Sequence, residues 1–307
     1  KQYFVVNWCF FTICNFSCSY CPADLHDGKH RGLDIEVVKK FCLNIIETKK
    51  DKKVFFEFTG GEMTYYRSFV ELFTFLKENG AEAGLISNGS RTIEFWDNHK
   101  HLIDHICLSF HPEQGDPDHF FNVVKLLNEV TTVHVNIMML PEKFDMLYEL
   151  SQKISSQIEG ISLAMQPLFE NMSGGMFKYT EEQKKILDHQ TLTWATDLKF
   201  FQSPKKIKKV YRGEMKKVYA SSQEVLINPP ELVARQENNW FGWSCHIGIE
   251  NIVVDYHGNV LRGWCRVGGV FGNIEDQNFK LPEKPIICNV KNCYCGLDIM
   301  ATKVKNE

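Results

Sequence analysis

Three cysteines near the start of the chain have a spacing that can hold a metal cluster. Cys14, Cys18 and Cys21 stand at C-x3-C-x2-C, directly after the apolar run Tyr3–Phe11. Three thiolates on one short loop can ligate three irons of a [4Fe-4S] cluster and leave the fourth iron without a protein ligand. An iron with open positions can bind a small molecule and pass it an electron.

A structural zinc site is the alternative for this loop. Zinc takes four ligands, commonly from two cysteine or histidine pairs. No fourth cysteine follows Cys21 at that spacing, and the nearby His26 and His30 belong to a charged stretch. A bacterial ferredoxin run needs a fourth cysteine close by, whereas Pro22 follows the third cysteine here. The pattern therefore favours a cluster with one open iron.

The loop resembles the signature of the radical S-adenosylmethionine (SAM) enzymes, and Tyr20 falls at the aromatic position that this family has before the last cysteine. The resemblance implies that the methionine amine and carboxylate of SAM bind the open iron. It implies that one-electron reduction yields a 5′-deoxyadenosyl radical, which abstracts a hydrogen atom from the substrate. It also implies a small electron donor protein of the flavodoxin or ferredoxin type as partner.

Composition fits a globular protein. The chain has 307 residues and 44% hydrophobic content, enough for one large and one small domain, and its net charge of −3 predicts no general affinity for nucleic acid. No apolar stretch approaches the roughly 18 residues of a membrane span. The spacing of the cysteines indicates metal sites in a reducing compartment, so we expect a cytoplasmic monomer. We expect Cys9, Cys42 and Cys107 to be buried apolar residues.

Strand-like and helix-like segments alternate along the first half of the chain. Strands are predicted at Tyr3–Phe11, Val54–Phe58, Glu82–Ile86, His105–Phe110, Val133–Leu140 and Gly160–Gln166. Amphipathic helices are predicted at Asp34–Thr48, Tyr66–Asn79, Ile93–Lys100, Asp118–Val130 and Phe144–Ser156. This α/β alternation predicts a parallel sheet with helices outside. The family resemblance implies a partial (β/α)6, TIM-like barrel over residues 1–200, with its active site at the C-terminal ends of the strands.

The second predicted strand leads into Gly60, Gly61 and Glu62. Two glycines let the backbone approach a ligand closely, and an acid beside them can accept hydrogen bonds from an ammonium group. These residues resemble the GGEP motif that binds the methionine amine of SAM in the family. Met63 stands here in place of the usual proline.

The third and fourth predicted strands also end in polar residues. Ser87 and Asn88, followed by a glycine, resemble the family's turn that contacts the SAM carboxylate or ribose; an ordinary strand-to-helix turn is the alternative. Ser109 and His111 would point into the barrel mouth, where His111 could contact SAM or act as an acid or base. A structural histidine is the alternative.

Two later strands carry amides within apolar runs, Asn136 and Gln166. Such groups need hydrogen-bond partners, which bound SAM or substrate could supply. An internal network is the alternative. Basic residues then cluster in the region 201–239, which is predicted to be a linker with helical parts: Lys205, Lys206, Lys208, Lys209, Arg212, Lys216 and Lys217. A solvated helix face explains them, or a basic lip for a phosphate, a sugar nucleotide or an acidic peptide.

A second cysteine system lies in a small C-terminal domain predicted over residues 240–307. Its members are Cys245, Cys265, Cys288, Cys293 and Cys295. The first two bracket a predicted β-hairpin that turns at His257-Gly258-Asn259, and the last three form C-x4-C-x-C. Sulfur-rich pairs brought together in this way make a cluster or a zinc site.

This segment is similar to the SPASM/twitch extension of radical SAM enzymes, which carries auxiliary Fe–S clusters. It departs from that pattern in having five cysteines where the full pattern has seven, and six residues between Gly258 and Cys265 where four are common. We therefore expect one auxiliary [4Fe-4S] cluster on Cys265, Cys288, Cys293 and Cys295. Cys245 is a fifth candidate ligand or a replacement for one of these.

The resulting hypothesis is hydrogen abstraction from a C–H bond of a peptide or small polar metabolite. An auxiliary cluster that accepts the substrate electron would give oxidation or cross-linking. A spare thiol such as Cys245 that donates a hydrogen atom would give epimerisation. The alternative is a non-catalytic Fe–S or zinc-binding electron-relay protein, which would have no need for the glycine-rich strand ends.

Overall fold

The computed structural model describes residues 3–170, 175–196, 215–218, 221–227, 229–234, 236–276 and 278–305. In these ranges, no helix combines the length and the apolar character that crossing a bilayer requires.

The first part of the chain alternates strands and helices as the sequence predicts. Its strands are β1 (Tyr3–Phe11), β2 (Lys53–Gly60), β3 (Glu82–Ser87), β4 (His105–Phe110), β5 (Thr132–Met139) and β6 (Ser162–Pro167). Its helices are α1 (Ile35–Thr48), α2 (Phe69–Glu78), α3 (Ile93–His99), α4 (Pro117–Asn128), α5 (Phe144–Gln157) and α6 (Glu181–Thr196). The six strands pair in parallel in this order, which confirms the prediction of a partial TIM-like barrel.

Local chemistry explains where the helices begin. Asp34 caps α1 by accepting hydrogen bonds from the backbone nitrogens of Glu36 and Val37. Asp116 caps α4 in the same way, and Pro117 occupies the first turn, where its missing N–H has no intrahelical partner to lose. These caps place each helix directly after the loop that follows a strand.

The sheet has a helix-facing side and an inner side. Alternate residues of the strands pack with the helices into one apolar core, for example Val135 and Ile137 of β5. The intervening residues face the barrel interior, and on β5 these are His134, Asn136 and Met138, which are only partly buried. The barrel interior is therefore partly open along β5.

The second part of the chain is built from short elements. Its strands are β7 (Met215–Val218), β8 (Glu224–Ile227), β9 (Ser244–Cys245), β10 (Asn251–Val254), β11 (Asn259–Leu261), β12 (Val270–Asn273), β13 (Ile286–Ile287) and β14 (Lys303–Val304). Its helices are α7 (Pro229–Ala234) and α8 (Gly296–Met300). The predicted hairpin is present as β10 and β11, and Gly258 in its turn has a φ of 77°, which favours glycine.

The hairpin continues the barrel sheet. Strand β10 pairs in parallel with β1, so nine of the described strands form one sheet in the order β12-β11-β10-β1-β2-β3-β4-β5-β6. Strand β9 instead lies between β13 and β14 in a separate three-stranded sheet. A second apolar cluster beside that sheet contains Cys245, Cys288 and Cys293 together with Trp240 and Ile299.

A buried hydrogen-bond chain joins the C-terminal part to the barrel. The indole nitrogen of Trp264 donates to Asn7 Oδ1 over 2.7 Å, and the Asn7 amide donates to the Glu57 carboxylate. Asn7 on β1 and Glu57 on β2 are both buried inner-side residues. The segment that precedes Cys265 is therefore anchored to the first two strands of the barrel.

We expect the change Trp264→Phe to destabilise the protein by about 1–3 kcal/mol, because it leaves a buried acceptor on Asn7 without its donor. The midpoint of thermal unfolding should fall accordingly. The single changes Trp264→Phe and Asn7→Ala and their combination form a cycle that isolates the bond. Strictly additive losses in this cycle would contradict the inference that the bond contributes to stability.

Candidate active site at the strand ends

The three N-terminal cysteines lie on the loop that leaves β1. The backbone nitrogen of Cys21 donates to Cys18 O over 3.0 Å, and that of Phe16 donates to Cys14 Sγ over 3.4 Å. All three thiols are free of disulfides. The pKa of Cys18 is raised to about 11 and that of Cys21 to about 12, with burial the largest cause for both, and the neighbouring charges of Cys18 and Cys14 contribute to the value for Cys21.

Thiols with pKa values this high need a positive charge nearby before they lose their protons and act as metal ligands. Thiolates this close repel one another, and a bound iron cluster supplies the charge that lets them lose their protons. The chemistry of the loop therefore fits a cluster. In the described part of the chain, no group of three or more His, Cys, Asp or Glu side chains is arranged to hold a single metal ion. A four-iron cluster is larger than one ion and separates its thiolates further.

The two glycines at the end of β2 lie against the end of β1 and the start of the cysteine loop. The backbone nitrogen of Gly61 donates to Phe11 O over 2.8 Å, and that of Glu62 donates to Ile13 O over 2.7 Å. A Cβ atom on Gly61 would lie 1.9 Å from Ile13 O, and one on Gly60 would lie 2.5 Å from Phe11 O. Only glycine permits this approach, so the two strand ends are fixed to each other.

Glu62 joins the ends of β2 and β3. Its carboxylate is 1% exposed and accepts hydrogen bonds from Ser87 Oγ over 2.9 Å and from the backbone nitrogen of Asn88 over 2.7 Å. Thr64 donates to it as well, from both Oγ1 and its backbone nitrogen. Burial raises the pKa of Glu62, while these hydrogen bonds lower it. Much of the carboxylate's accepting capacity is therefore used to hold the two loops together.

Met63 shows how this loop keeps its shape without proline. It is fully buried and begins a short 3-10 turn, Met63–Tyr65. Its side chain belongs to the apolar core of the barrel, whereas a smaller proline ring would reach less of that core. Packing of Met63 together with the hydrogen bonds of Glu62 orders the loop.

The turn after β3 reaches the cysteine loop. The amide nitrogen of Asn88 donates to Asn15 Oδ1 over 3.0 Å and lies 4.0 Å from Cys14 Sγ. The backbone nitrogen of Gly89, whose φ is 72°, donates to Ser87 Oγ. The structure thus brings the three predicted SAM-binding segments together at one end of the sheet.

The end of β4 holds the cysteine loop from the other side. The Tyr20 hydroxyl is hydrogen-bonded to His111 Nδ1 over 2.9 Å, and the two rings stack with an interplanar angle of 12°. Ser19 donates to Glu113 from its backbone nitrogen and its hydroxyl. Burial lowers the pKa of His111 to about 4, so the imidazole is neutral near pH 7. Ser109 is buried on the inner side of the same strand.

Asn136 and Gln166 bond to each other on the inner side of β5 and β6. Gln166 Nε2 donates to Asn136 Oδ1 over 3.0 Å, and Asn136 Nδ2 donates to Cys107 Sγ over 3.1 Å. His134 is bonded to Asn136 Oδ1 through Nε2 and to Ser162 Oγ through Nδ1. These distances describe an internal hydrogen-bond network, which is one of the two arrangements that the sequence left open for Asn136 and Gln166.

Three members of that network were missed by sequence reasoning. Cys107 was expected to be simply apolar, and His134 and Ser162 were not singled out. Like Cys9 and Cys42, Cys107 is buried as predicted, but it also accepts a hydrogen bond. The alternation of polar and apolar residues over Thr132–Ile137 in β5 was the signal that could have found His134.

The five C-terminal cysteines gather around the three-stranded sheet. Cys245, Cys288 and Cys293 are buried, and Cys265 packs against the same cluster. Neighbouring thiolates influence one another here, since Cys265 and Cys295 both raise the pKa of Cys293, although burial is the larger cause. Cys245 thus lies among the other cysteines rather than on the inner side of the barrel.

Asp298 was also missed, because an isolated acid in a polar tail has no sequence signal. It is 1% exposed and accepts hydrogen bonds from the backbone nitrogens of Trp264 and Cys265 over 3.2 and 2.8 Å. A Cβ atom on Gly263 would lie 2.5 Å from Asp298 Oδ1. Asp298 therefore fixes the backbone that presents Cys265.

Most of the basic residues noted in the sequence fall outside the described residues, namely Lys205, Lys206, Lys208, Lys209 and Arg212. Lys217 is described, and its Nζ is 2.7 Å from Glu237 Oε2.

The family to which this site belongs is shown by comparison with known proteins. The sequence profile of the Radical SAM superfamily matches residues 8–154, the span that holds the cysteine loop and the loops after β2, β3 and β4. Residues 8–154 are a radical SAM domain. A comparison with curated protein sequences gives no significant match.

Solved structures with the same fold are distant in sequence. SuiB of Streptococcus suis bound to the precursor peptide SuiA matches 90% of this chain with 14% identity and a TM-score of 0.54. The chain spans 62% of the length of SuiB in that complex. The structure of native anSMEcpe with bound AdoMet covers 90% of this chain and 78% of the anSMEcpe chain, also with 14% identity and a TM-score of 0.54. At these identities the likeness is one of fold.

The change Gly61→Ala should disrupt the approach of the two strand ends, because its methyl group would collide with Ile13 O. We expect a loss of about 1–3 kcal/mol in stability and a weaker affinity for SAM. Thermal unfolding and equilibrium SAM binding measure the two effects. Gly175→Ala is the matched control, since its Cβ atom would meet no atom within 4 Å. Equal behaviour of the two variants would show that the close approach does not support SAM binding.

Proposed function

We propose that this protein uses SAM-derived radical chemistry to abstract a hydrogen atom from a C–H bond of a peptide or a small polar metabolite. The observation that carries this proposal is the convergence of Cys14, Gly61, Glu62 and Asn88 at one end of the parallel sheet. A [4Fe-4S] cluster with bound SAM would supply the 5′-deoxyadenosyl radical. A non-catalytic relay protein would fill every iron ligand site and would have no need for these loops around the cluster.

Each residue then has a defined task. Cys14, Cys18 and Cys21 would hold the cluster. Gly60 and Gly61 would admit the methionine end of SAM close to the backbone, and the remaining capacity of the Glu62 carboxylate would receive its ammonium group. Asn88 would orient the carboxylate or ribose. His111 is neutral and bonded to Tyr20, so it would position the cysteine loop in addition to any contact with SAM.

The inner side of β4, β5 and β6 supports a neutral, hydrogen-bonding substrate group. None of these three strands contains Asp, Glu, Lys or Arg. Their inner-side polar groups are amides, hydroxyls, a thiol and imidazoles, notably Asn136, Gln166 and Cys107. A charged ligand group beside these three strands would meet no charged side chain on them, so the desolvation of that charge would go uncompensated there.

The outcome of the reaction depends on the fate of the substrate radical. In an oxidation or cross-linking, the substrate radical would pass an electron to a second cluster on the C-terminal cysteines. In an epimerisation, a thiol on the inner side of the barrel would return a hydrogen atom. Cys107 is better placed for that task than Cys245, which lies in the C-terminal cysteine group.

Anaerobic reconstitution tests the proposal. Iron and sulfide should reach about eight each per chain if two four-iron clusters form. Dithionite and SAM should then release 5′-deoxyadenosine. Tight binding of zinc with no release of 5′-deoxyadenosine would overturn the proposal.

The change Cys18→Ala should abolish release of 5′-deoxyadenosine and lower the iron content to about half, because only the SAM-binding cluster loses a ligand. Cys42→Ala is the matched control, since this thiol is buried in α1 within the helix-facing core. The control should retain SAM cleavage. Continued cleavage in Cys18→Ala would show that the SAM-binding iron is held elsewhere.

The change Cys293→Ala should leave SAM cleavage measurable while product formation stops, since it removes a ligand from the second cluster only. Transfer of deuterium from labelled candidate substrates into 5′-deoxyadenosine identifies the substrate for this assay. Normal turnover in Cys293→Ala would show that the second cysteine group has no part in the reaction.

A further inference from the structure

The turn after β3 directs its polar groups to two sides in alternation. The side chains of Asn88 and Ser90 meet the cysteine loop, where Asn88 Nδ2 donates to Asn15 Oδ1 and Asn15 Nδ2 donates to Ser90 Oγ, both over 3.0 Å. The backbone carbonyls of the intervening Gly89 and Arg91 bond instead to helix α4. Whatever fixes these two carbonyls therefore also fixes the face that the turn presents to the cysteines.

A single side chain of α4, His119, bonds to both carbonyls. Its Nε2 lies 3.1 Å from Gly89 O and 3.0 Å from Arg91 O. A carbonyl oxygen can only accept, so Nε2 carries a hydrogen and shares it between the two oxygens. The imidazole is half-buried between the helix and the turn. His119 thus bridges two peptide units that flank Ser90.

Two neighbouring rings hold the turn at Gly89. Trp96, fully buried in α3, donates from Nε1 to Gly89 O over 3.4 Å. Phe120, the residue after His119, occupies the space beside Gly89, where an added Cβ atom would lie 3.2 Å from the ring atom Cδ2. Helices α3 and α4 therefore both hold the turn at Gly89, and His119 extends this hold to Arg91.

The side chain of Arg91 connects the same turn to the loop after β2. Its guanidinium carbon lies 4.9 Å from the centre of the Tyr65 ring and 4.2 Å from that of Phe95. Tyr65 ends the short 3-10 turn that follows Glu62. The backbone that His119 fixes at Arg91 therefore also sets where this cation meets the neighbouring loop.

We propose that His119 is a positioning residue for SAM binding: by holding the carbonyls of Gly89 and Arg91, it sets the direction in which Asn88 faces the cofactor. The inference rests on the proposed function, in which Asn88 orients the carboxylate or ribose of SAM. His119 acts through the backbone of the turn, since the two carbonyls share its Nε2 hydrogen.

The change His119→Phe keeps a ring in place and removes the donor. We expect the dissociation constant for SAM to rise roughly three- to tenfold, the effect of losing one or two ordinary hydrogen bonds. Equilibrium dialysis of labelled SAM against the reconstituted protein measures it. At saturating SAM, the rate of 5′-deoxyadenosine release should stay close to that of the parent protein, because the change acts on affinity.

The change His119→Gln supplies an amide nitrogen as donor in place of Nε2. We expect it to recover most of the affinity that His119→Phe loses. Unchanged affinity in His119→Phe would overturn the proposal, and so would a glutamine variant that binds SAM as weakly as the phenylalanine variant.

A double-mutant cycle with Asn88→Ala tests whether His119 acts through Asn88. In the Asn88→Ala protein there is no side-chain amide left to orient, so adding His119→Phe should weaken SAM binding little further. Strictly additive losses in SAM binding would give His119 a role independent of Asn88 and overturn the proposal.

Hydrogen exchange follows the turn itself before SAM is added. The backbone amides of residues 88–91 should exchange faster in His119→Phe than in the parent protein, because the turn opens more readily. Unchanged exchange would contradict the proposed hold on the turn.

The matched control is His99→Phe. Its Nδ1 bonds to Phe95 O over 2.8 Å at the end of α3, so the change also removes a bond between an imidazole and a backbone carbonyl. The control should bind SAM as the parent protein does, and equal weakening in both variants would overturn the proposal. A reconstituted parent protein that neither binds nor cleaves SAM contradicts the proposed function. A parent that binds SAM no better than His119→Phe does contradicts the positioning role alone.

Discussion

The buried carboxylate of Glu62 is the interaction on which the arrangement of the strand ends depends. A carboxylate taken out of water is costly unless hydrogen bonds replace its hydration. Here the replacements come from Thr64 in its own loop and from Ser87 and Asn88 in the next loop. They are available only when both loops are in place. The carboxylate therefore selects one arrangement of the loops in the protein itself, without a ligand.

The backbone contacts beside Glu62 extend this constraint to the cysteines. Gly61 and Glu62 donate their backbone N–H groups to carbonyls on either side of the end of β1, and Asn88 bonds to Asn15 within the cysteine loop. Three strand ends are thus connected by hydrogen bonds between loops. A preorganised site of this kind spends little binding free energy on ordering itself when SAM arrives. Gly60 and Gly61 are as important to the site as the cysteines of the loop, because a side chain at either glycine position would separate the loops.

The sequence predicted the alternating strands and helices of the barrel well because the signals of these elements are local, whereas the partial barrel itself was implied by the family resemblance. The helical periodicity and the apolar strands each act over a few residues, whereas the caps at Asp34 and Asp116 were recognised only in the structure. The parallel pairing of β1 with β10 was not predicted, since the pattern of a strand contains no information about a partner far along the chain. The same limit applies to polar groups. The need of Asn136 for a partner was predictable, whereas the identity of that partner, Cys107, required the fold.

The pairing of β10 with β1 has a consequence for the chemistry. Strand β1 leads directly into the N-terminal cysteine loop, and its inner-side residue Asn7 also bonds to Trp264, the residue before Cys265. Asp298 then fixes the backbone of Trp264 and Cys265. Both cysteine groups are therefore attached to one buried strand, whose hydrogen bonds on both edges resist local movement. Any change that loosens β1 should disturb both groups together, so the distance between two redox centres held by them would be set by the fold of the barrel and not by a flexible linker.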